Sequence, residues 1–464
     1  MHHGQVTQQE LARTASRAST EAARDRGSAV PNFRFRPSFP ALPPHQPSDE
    51  GLVELAASMR EPTDAPVGDH PTLRAGDAFF GQFIDHDITF DALSRLGQDP
   101  VDRNFRSPAM DLDSLYGGGP DAGRHLYDVA DPLSSGGRVP VRLLVPEARP
   151  WDVPRNEQGT ALIGDPRNDE NHFVSQLHRV FLGFHNYVVD QIASEHAGRP
   201  QDLFEAARRL TTQHYHEVVR TDFLPKIVDA AILKEVLAEP RFYAPRSAAE
   251  AFIPTEFAVA AFRFGHTLIR QRYRLNERKA VDLFDGEQVP PFAARDKTVS
   301  LDWAYFVGDA PQVQRARRID GLVSASLFDL PFVDETTGGP RSLPERNLRR
   351  GRDAGLPSGQ SLAQHLDLEP LSNDELGIGA IEGLRGEAPL WAYLLYESGR
   401  DAESNTLGPL GSLLVGEVLV GLMRVVPASP LNDPSWSPRF ADDGVFDLAR
   451  LVDLGRPDPA RARA

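Results

Sequence analysis

The chain has 464 residues, with 50 Lys and Arg against 66 Asp and Glu, a net charge of −16, and no cysteine. The negative field disfavours nucleic acid and anionic membrane surfaces as main partners. The missing cysteine removes disulfides, thiolate nucleophiles, Cys-ligated zinc, iron–sulfur clusters and thioether-attached haem in one step, so any metal or cofactor must rely on His, carboxylates and backbone oxygens.

The length suggests about three domains at roughly 150 residues each, yet no Gly/Ser-rich or charge-rich linker divides the sequence. The reading is a flexible N-terminal segment over residues 1–30 followed by one large domain over 31–464. The first thirty residues are polar and rich in Arg and Ala, and the stretch PNFRFRPSFPALPPHQP carries too much proline for regular structure. The start, MHHGQVTQQELARTASRAS, lacks a secretory apolar run, and no stretch of about twenty apolar residues follows. These features predict a cytoplasmic protein without a membrane span, with non-classical release as the alternative route.

Helical periodicity then dominates, over about 51–59, 72–92, 171–197, 201–221, 227–238, 257–271, 311–325, 360–366, 373–382 and 389–424, the last interrupted near Gly408 and Gly411. Strand signals are short, chiefly VPVRLLVP from Val139 and KTVSLDW from Lys297. The expected fold class is mainly α, a single large helical domain with few short strands.

Five segments carry chemistry. From Phe80 to Phe90, FGQFIDHDITF places Gln82, Asp85, His86 and Asp87 in an otherwise apolar helix. Polar groups among buried phenylalanines must be paired, metal-bound or cofactor-bound to offset lost hydration. Residues three and four apart share a face, so Gln82, Asp85 and His86 point one way while Asp87 is turned by roughly 100°. One helix can thus serve a pocket and a separate second site.

Next, SPAMDLDSLYGGG sets Ser107, Ala109, Asp111 and Asp113 at alternate positions. On an extended chain these face one side, so their side-chain or carbonyl oxygens can converge on a hard cation such as calcium. An ordinary solvated turn is the competing reading. In IGDPRNDENHF, Arg167 and Glu170 precede a long helix from Asn171, where acidic groups suit the positive end of the dipole.

In FAVAAFRFGHTLIRQRYRL, His266 follows Gly265. A helical glycine costs about 1 kcal/mol relative to alanine, so it often marks the close approach of something bulky, and a flat porphyrin would fit. The competing reading for His266, as for His86, is a hydrogen-bonded core histidine. Last, ERNLRRGRDAGLP groups Asn347, Arg350, Arg352 and Asp353, which alone read as surface ion pairs beside an amide able to orient a ligand.

In this order the five segments resemble the animal-type haem peroxidases of the peroxidase–cyclooxygenase superfamily, including its bacterial members. The match runs from about Pro31 to the last helices, with its specific motifs between Phe80 and Pro357. The resemblance implies a helical haem-peroxidase domain that binds haem b and calcium. It also implies reduction of hydrogen peroxide through a ferryl intermediate, oxidation of small organic or halide donors, and a part in the response to oxidative stress.

Carried over residue by residue, the resemblance makes His86 the distal histidine, Gln82 its pocket neighbour and Arg167 the distal arginine. It makes His266 the proximal iron ligand and Asn347 the residue that accepts or steadies its other ring N–H. Arg263 and Arg350 become partners for haem propionates, which suit guanidinium forks. Asp85 and Glu170 match the acids that form ester bonds to haem methyl groups in mammalian members. Asp87 falls on the calcium site with Ser107, Ala109 through its carbonyl, Asp111 and Asp113. The family usually has serine at the position of Asp113, and a third carboxylate implies tight cation binding.

Two departures narrow the expected activity. Asn171 stands where myeloperoxidase has the methionine of a sulfonium link to haem, so phenols, iodide, bromide or thiocyanate are expected as donors in preference to chloride. Arg263 stands where the cyclooxygenase and fatty-acid dioxygenase branches have a radical-forming tyrosine, which favours peroxidase chemistry, although Tyr273 could carry a radical by another route. A fatty-acid dioxygenase and a non-catalytic haem- and calcium-binding protein are the alternatives.

Overall fold

The structure, a computed structural model, describes residues 34–62, 68–90, 104–134, 139–331, 333, 339–403 and 405–457. The flexible segment expected over 1–30 lies outside the described residues. The helices used below are α1 (Asp49–Ser58), α2 (Ala75–Ile88), α3 (His172–Ile192), α4 (Pro200–Val218), α5 (Ala230–Ala238), α6 (Leu343–Asp353), α7 (Leu390–Asp401), α8 (Pro409–Arg424) and α9 (Leu448–Gly455). Among the described residues the strands form three two-stranded ribbons, none with a strand longer than six residues. The mainly helical class expected from the periodicity is what the structure shows.

Helix α2 starts three residues later than its apolar pattern suggests. Asp69–Arg74 is instead a strand paired antiparallel with Arg315–Arg317. The helix is then fixed by a buried ion cluster: Asp77 Oδ2 accepts the Arg74 N–H at 2.7 Å, and the Arg74 guanidinium reaches Asp77 at 2.7 Å and Asp222 at 2.6 Å. It stops at Ile88 because Thr89 is extended and returns its N–H and hydroxyl to the Asp85 carbonyl, at 2.8 and 2.9 Å.

The rotation of α2 is set by aromatic packing on α3. Phe79 stacks on Phe173 with ring centres 4.4 Å apart, Phe83 stacks on Phe181 at 4.3 Å, and Phe80 meets Phe223 edge-on at 5.6 Å. Each buried ring contributes roughly 1.5–3 kcal/mol. On the far side α3 crosses α9 backbone to backbone, so tightly that a Cβ on Gly183 would lie 2.0 Å from the Gly455 carbonyl oxygen.

Several expected elements are replaced for identifiable reasons. The helix expected over 311–325 is the Arg315–Arg317 strand with flanking loops, held by its pairing with Asp69–Arg74. That expected over 257–271 is a short helix, Thr255–Val259, and a tighter 3₁₀ run, Ala261–His266, separated by non-helical Ala260. Over 373–382, Gly377 at φ +75° breaks the pattern into turns. The strand expected from Val139 is reduced to one bridge, Tyr127 to Leu143, between prolines that cannot donate to a ladder. The one from Lys297 is two 3₁₀ turns, capped by Asp296 on the Thr298 N–H and Asp302 on the Ala304 N–H, because such carboxylates compete for backbone donors.

Helix α6 was not expected from the sequence, since its Arg-rich run lacks apolar periodicity. Ser342 caps it at the Glu345 N–H, and Glu345 pairs with Arg349 at 2.8 Å one turn later.

Candidate haem and cation site

The distal half is built by α2 and the 3₁₀ turn Pro166–Asp169. Asp165 caps that turn through the Arg167 N–H at 2.8 Å, and Asp169 is gripped by both terminal nitrogens of Arg155 at 2.7 Å and by Arg295 at 3.2 Å. Buried charge pairs of this kind fix geometry more than they add stability. The turn delivers Asn168 to His86: Nδ1 of the imidazole lies 2.7 Å from the Asn168 Oδ1, while the Asn168 amide nitrogen lies 2.9 Å from Nδ1 of His178 on α3.

An amide oxygen only accepts, so His86 carries its proton on Nδ1 and presents a bare lone pair at Nε2, which has no partner among the described residues. His86 is buried, and this burial, with Arg167 adding to it, pushes its pKa down to about 4. At neutral pH the ring is an uncharged base. Neither Asn168 nor His178 was singled out in the sequence; the only local signal was the position of Asn168 next to Arg167.

Arg167 is tethered along one edge. Its Nε donates to Asp165 Oδ1 at 3.1 Å, and one terminal nitrogen donates to the His86 carbonyl at 3.0 Å and to the Thr89 carbonyl. The guanidinium lies over the Phe90 ring, 4.6 Å from its centre, and Nη1 has no protein acceptor among the described residues. Gln82 accepts from the Asn171 amide at 3.0 Å, and the other end of Asn171 caps α3 at the Val174 N–H. Asn171 therefore orients Gln82. Asp85, half-buried, accepts from the Thr89 hydroxyl at 3.0 Å. Glu170 is half-buried too, and burial raises its carboxyl pKa against the opposing pull of Arg167.

The proximal half is the Ala261–His266 run, packed against α2, α7 and α8. The amide nitrogen of Asn347, on α6, lies 2.8 Å from Nδ1 of His266, and the amide oxygen accepts from Arg263 at 3.1 Å. A guanidinium only donates, so it claims the oxygen and turns the amide nitrogen toward the ring. Asn347 steadies His266 as a donor here, rather than by accepting a ring N–H. Burial, helped by Arg263, pushes the His266 pKa down to about 3.

Arg263 also donates to the Ala258 carbonyl at 3.1 Å, which ties it into the proximal pair. Arg350 lies half-buried one turn after Asn347 on α6. A Cβ added to Gly265 would meet no atom within 4 Å, so open space lies beside this backbone. The two buried neutral imidazoles, on segments that pack together, differ at Nε2: His86 is bare there, whereas His266, accepting at Nδ1, carries its proton on Nε2 and offers that nitrogen to the iron of a porphyrin once the Asn347 amide turns its oxygen to the ring.

Asp87, fully buried, faces away from this pair. Carboxylate oxygens of Asp87, Asp111 and Asp113 lie within 4.8 Å of one another. They converge through a turn and not through an extended strand: Leu112 adopts φ +59°, and Asp113 starts a short helix to Tyr116. Asp87 accepts from the Leu112 N–H at 3.3 Å and the Ser114 hydroxyl at 3.0 Å. Asp113 accepts from the Ser107 N–H at 3.0 Å, and the Ser107 hydroxyl faces Asp111.

One oxygen each of Asp111 and Asp113 is buried without a hydrogen bond, that of Asp113 having only an ion-pair contact with Arg106 at 3.4 Å, and burial together with Asp113 and Asp111 pushes the Asp87 pKa well up. Hard oxygens this close, partly orphaned, fit a divalent cation such as calcium. Ala109 is buried against Ala251 and Val425.

The comparisons with known proteins agree with this architecture. Pig thyroid peroxidase is 27% identical over 384 residues, covering 76% of this chain, which spans 40% of the thyroid protein's length. Among solved structures, peroxidase A from Dictyostelium discoideum superposes with a TM-score of 0.60 at 17% identity, covering 91% of this chain and 94% of that one. The fatty acid alpha-dioxygenase of Oryza sativa gives 0.57 at 14% identity, covering 97% and 89%. At such identities these two show a shared fold.

The sequence model of the family described as animal haem peroxidase matches residues 97–376, beginning after α2 and taking in Asp111, Arg167, His266 and Asn347. A match over more than half of the chain, on a helical fold shared with a peroxidase, places this protein in the animal haem peroxidase family.

Proposed function

We propose that this protein is a haem peroxidase that reduces hydrogen peroxide and oxidises small donors such as phenols, iodide, bromide or thiocyanate. The observation that carries the reading is the placing of two buried, neutral imidazoles on segments that pack together, His86 on Asn168 with Nε2 bare and His266 beside Asn347. With the Asn347 amide turned so that its oxygen takes the Nδ1 proton, His266 would hold the iron of a bound haem b, and Asp85 and Glu170 would edge the porphyrin as candidate ester links. Haem supplies the two-electron reduction of the peroxide oxygen–oxygen bond.

The chain supplies the proton handling. Hydrogen peroxide is a poor nucleophile until it loses a proton, and His86 Nε2 takes that proton because Asn168 keeps the other nitrogen protonated. The same nitrogen returns it to the departing oxygen, so that water leaves. Arg167, held beside the imidazole by the His86 and Thr89 carbonyls, stabilises negative charge on that oxygen. Gln82, oriented by Asn171, lines the same face of α2. Calcium at Asp87, Asp111 and Asp113 would fix the rotation of α2 and hence the imidazole one residue away.

The test is turnover of a phenolic donor and of iodide with hydrogen peroxide by the haem-loaded chain, beside oxygen uptake with linoleate. Donor oxidation without oxygen uptake supports the proposal, and linoleate-dependent oxygen uptake without donor oxidation would favour a dioxygenase. The dioxygenase reading has the rice enzyme's fold behind it, but Arg263 stands three residues before His266, where the resemblance implies a radical-forming tyrosine in the dioxygenase branch.

A further inference from the structure

Between the cation cluster and the distal arginine sits Arg106, which neither the sequence motifs nor the proposed chemistry has used. It is buried, and its Nε and Nη2 donate to Asp165 Oδ2 at 3.1 and 2.5 Å, Nη2 also donating to the Gly164 carbonyl at 3.1 Å. Its remaining nitrogen, Nη1, lies 3.4 Å from Asp113 Oδ1. Asp165, with no exposed surface, at the same time takes the backbone N–H, Nε and Nη2 of Arg167. A continuous line of charge thus runs from half-buried Asp113 through buried Arg106 and Asp165 to half-buried Arg167.

Two features make this line a coupling and not a set of separate pairs. Asp165 Oδ2 is shared by both guanidiniums, at 2.5 Å from Arg106 and 2.8 Å from Arg167. A carboxylate oxygen has few lone-pair sites, so a stronger hold by one arginine weakens the other. In addition, Asp87, Asp111, Asp113 and Asp165 outnumber Arg106, Arg167 and the half-buried Arg208, so with all four carboxylates ionised the cluster carries one negative charge in excess, which a divalent cation offsets.

We propose that Arg106 is a positioning residue that couples cation binding at Asp87, Asp111 and Asp113 to the placement of Arg167. The proposal rests on the reading of Arg167 and of the cation cluster given above. When a cation takes Asp113 Oδ1, Arg106 loses that partner and settles on Asp165, which relaxes its grip on Arg167 and frees the guanidinium edge for the distal pocket. Linkage makes the effect reciprocal. Removing the Arg167 guanidinium gives Asp165 wholly to Arg106, draws Arg106 off Asp113, and leaves Asp113 to the cation.

The experiment is calorimetric titration of calcium into the purified full chain, stripped of divalent ions, as wild type, Arg167→Gln, Arg106→Leu and the double variant, with thermal melts to confirm folding. Arg167→Gln is expected to tighten calcium binding about 5-fold or more, the lower end of ordinary coupling, and this gain should vanish in the Arg106→Leu background. An unchanged affinity in Arg167→Gln, or an equal gain in both backgrounds, overturns the coupling. If Arg106→Leu does not fold, Arg106→Lys replaces it: an ammonium cannot span both carboxylates, so a gain as large as in wild type overturns the proposal. Absence of calcium binding to wild type overturns it together with the cation reading. The peroxidase reading is tested separately by donor turnover.

Discussion

Nδ1 of His86 lies 2.7 Å from Oδ1 of Asn168, and the other end of that amide lies 2.9 Å from Nδ1 of His178. The asparagine is therefore held at both ends, with its oxygen toward His86 and its nitrogen toward His178. Replacing it with leucine frees the distal ring to adopt the wrong tautomer. We expect Asn168→Leu to slow the reaction with hydrogen peroxide about 10–100-fold, the usual cost of losing such an outer partner, and Asn168→Asp, which keeps an acceptor oxygen, to restore most of it. Stopped-flow mixing of haem-loaded protein with peroxide measures this, and a wild-type rate in Asn168→Leu would contradict the tautomer lock.

The two imidazoles should fail differently. His266→Ala is expected to lose or weaken haem binding, whereas His86→Ala should retain haem and lose most peroxide reactivity. Haem content from absorbance and the peroxide rate separate the two, and the opposite pattern would mean that the two faces are exchanged.

Asp85 and Glu170 both flank the distal segment, half-buried, with the Glu170 carboxyl biased toward its neutral form by burial. After peroxide turnover, denatured protein is expected to retain haem in mass spectrometry, with one attachment lost in Asp85→Asn and the other in Glu170→Gln. Haem released in full from turned-over wild type would remove the ester links from the account.

Acid should destabilise the chain before it denatures the carboxylate network. Burial holds His172 at about 3 and His185, His214 and His216 at about 4, all below the ordinary value of 6.5. The unfolded chain takes up these protons first, so the stability tied to neutral histidines is complete above pH 6.5 and is lost as pH falls toward 4, by up to about 1.4 kcal/mol per pH unit for each group. Carboxyls raised by burial, among them Glu397 to about 8, Asp113 to about 7 and Asp320 to about 6, work in the opposite direction and offset part of this loss. The melting temperature measured from pH 7 to pH 4 should fall steadily below 6.5, and a flat profile would contradict the prediction.

Much of the candidate site is legible in the sequence because its local rules are strict. Helical spacing separates Asp87 from Gln82, Asp85 and His86, and the structure turns Asp87 into the acidic cluster while His86 meets Asn168. The resemblance to the haem peroxidases likewise implies the pairing of His266 with Asn347, which lies 81 residues away. What stays hidden are contacts that no local period encodes. Asn168 reaches His86 across 82 residues, and Arg106 reaches Asp165 across 59. The left-handed turn at Leu112 is equally silent, since a leucine gives no hint of positive φ.

The fold shows the same division. Strongly apolar helices such as α3 and α8 are readable, and the break at Gly408 is seen. By contrast α6, held by a serine cap and charge pairs, carries no apolar stripe. The Arg315–Arg317 strand exists only through a partner more than 240 residues earlier.

The central claim is that His86 and His266 form the two faces of a working peroxidase site. An absorption spectrum of the purified haem-loaded protein, recorded before and within seconds of adding hydrogen peroxide, tests it most directly. The account predicts a rapid change to an oxidised spectrum that returns to its starting form when a phenol or iodide is added. A spectrum that peroxide leaves unchanged would contradict it.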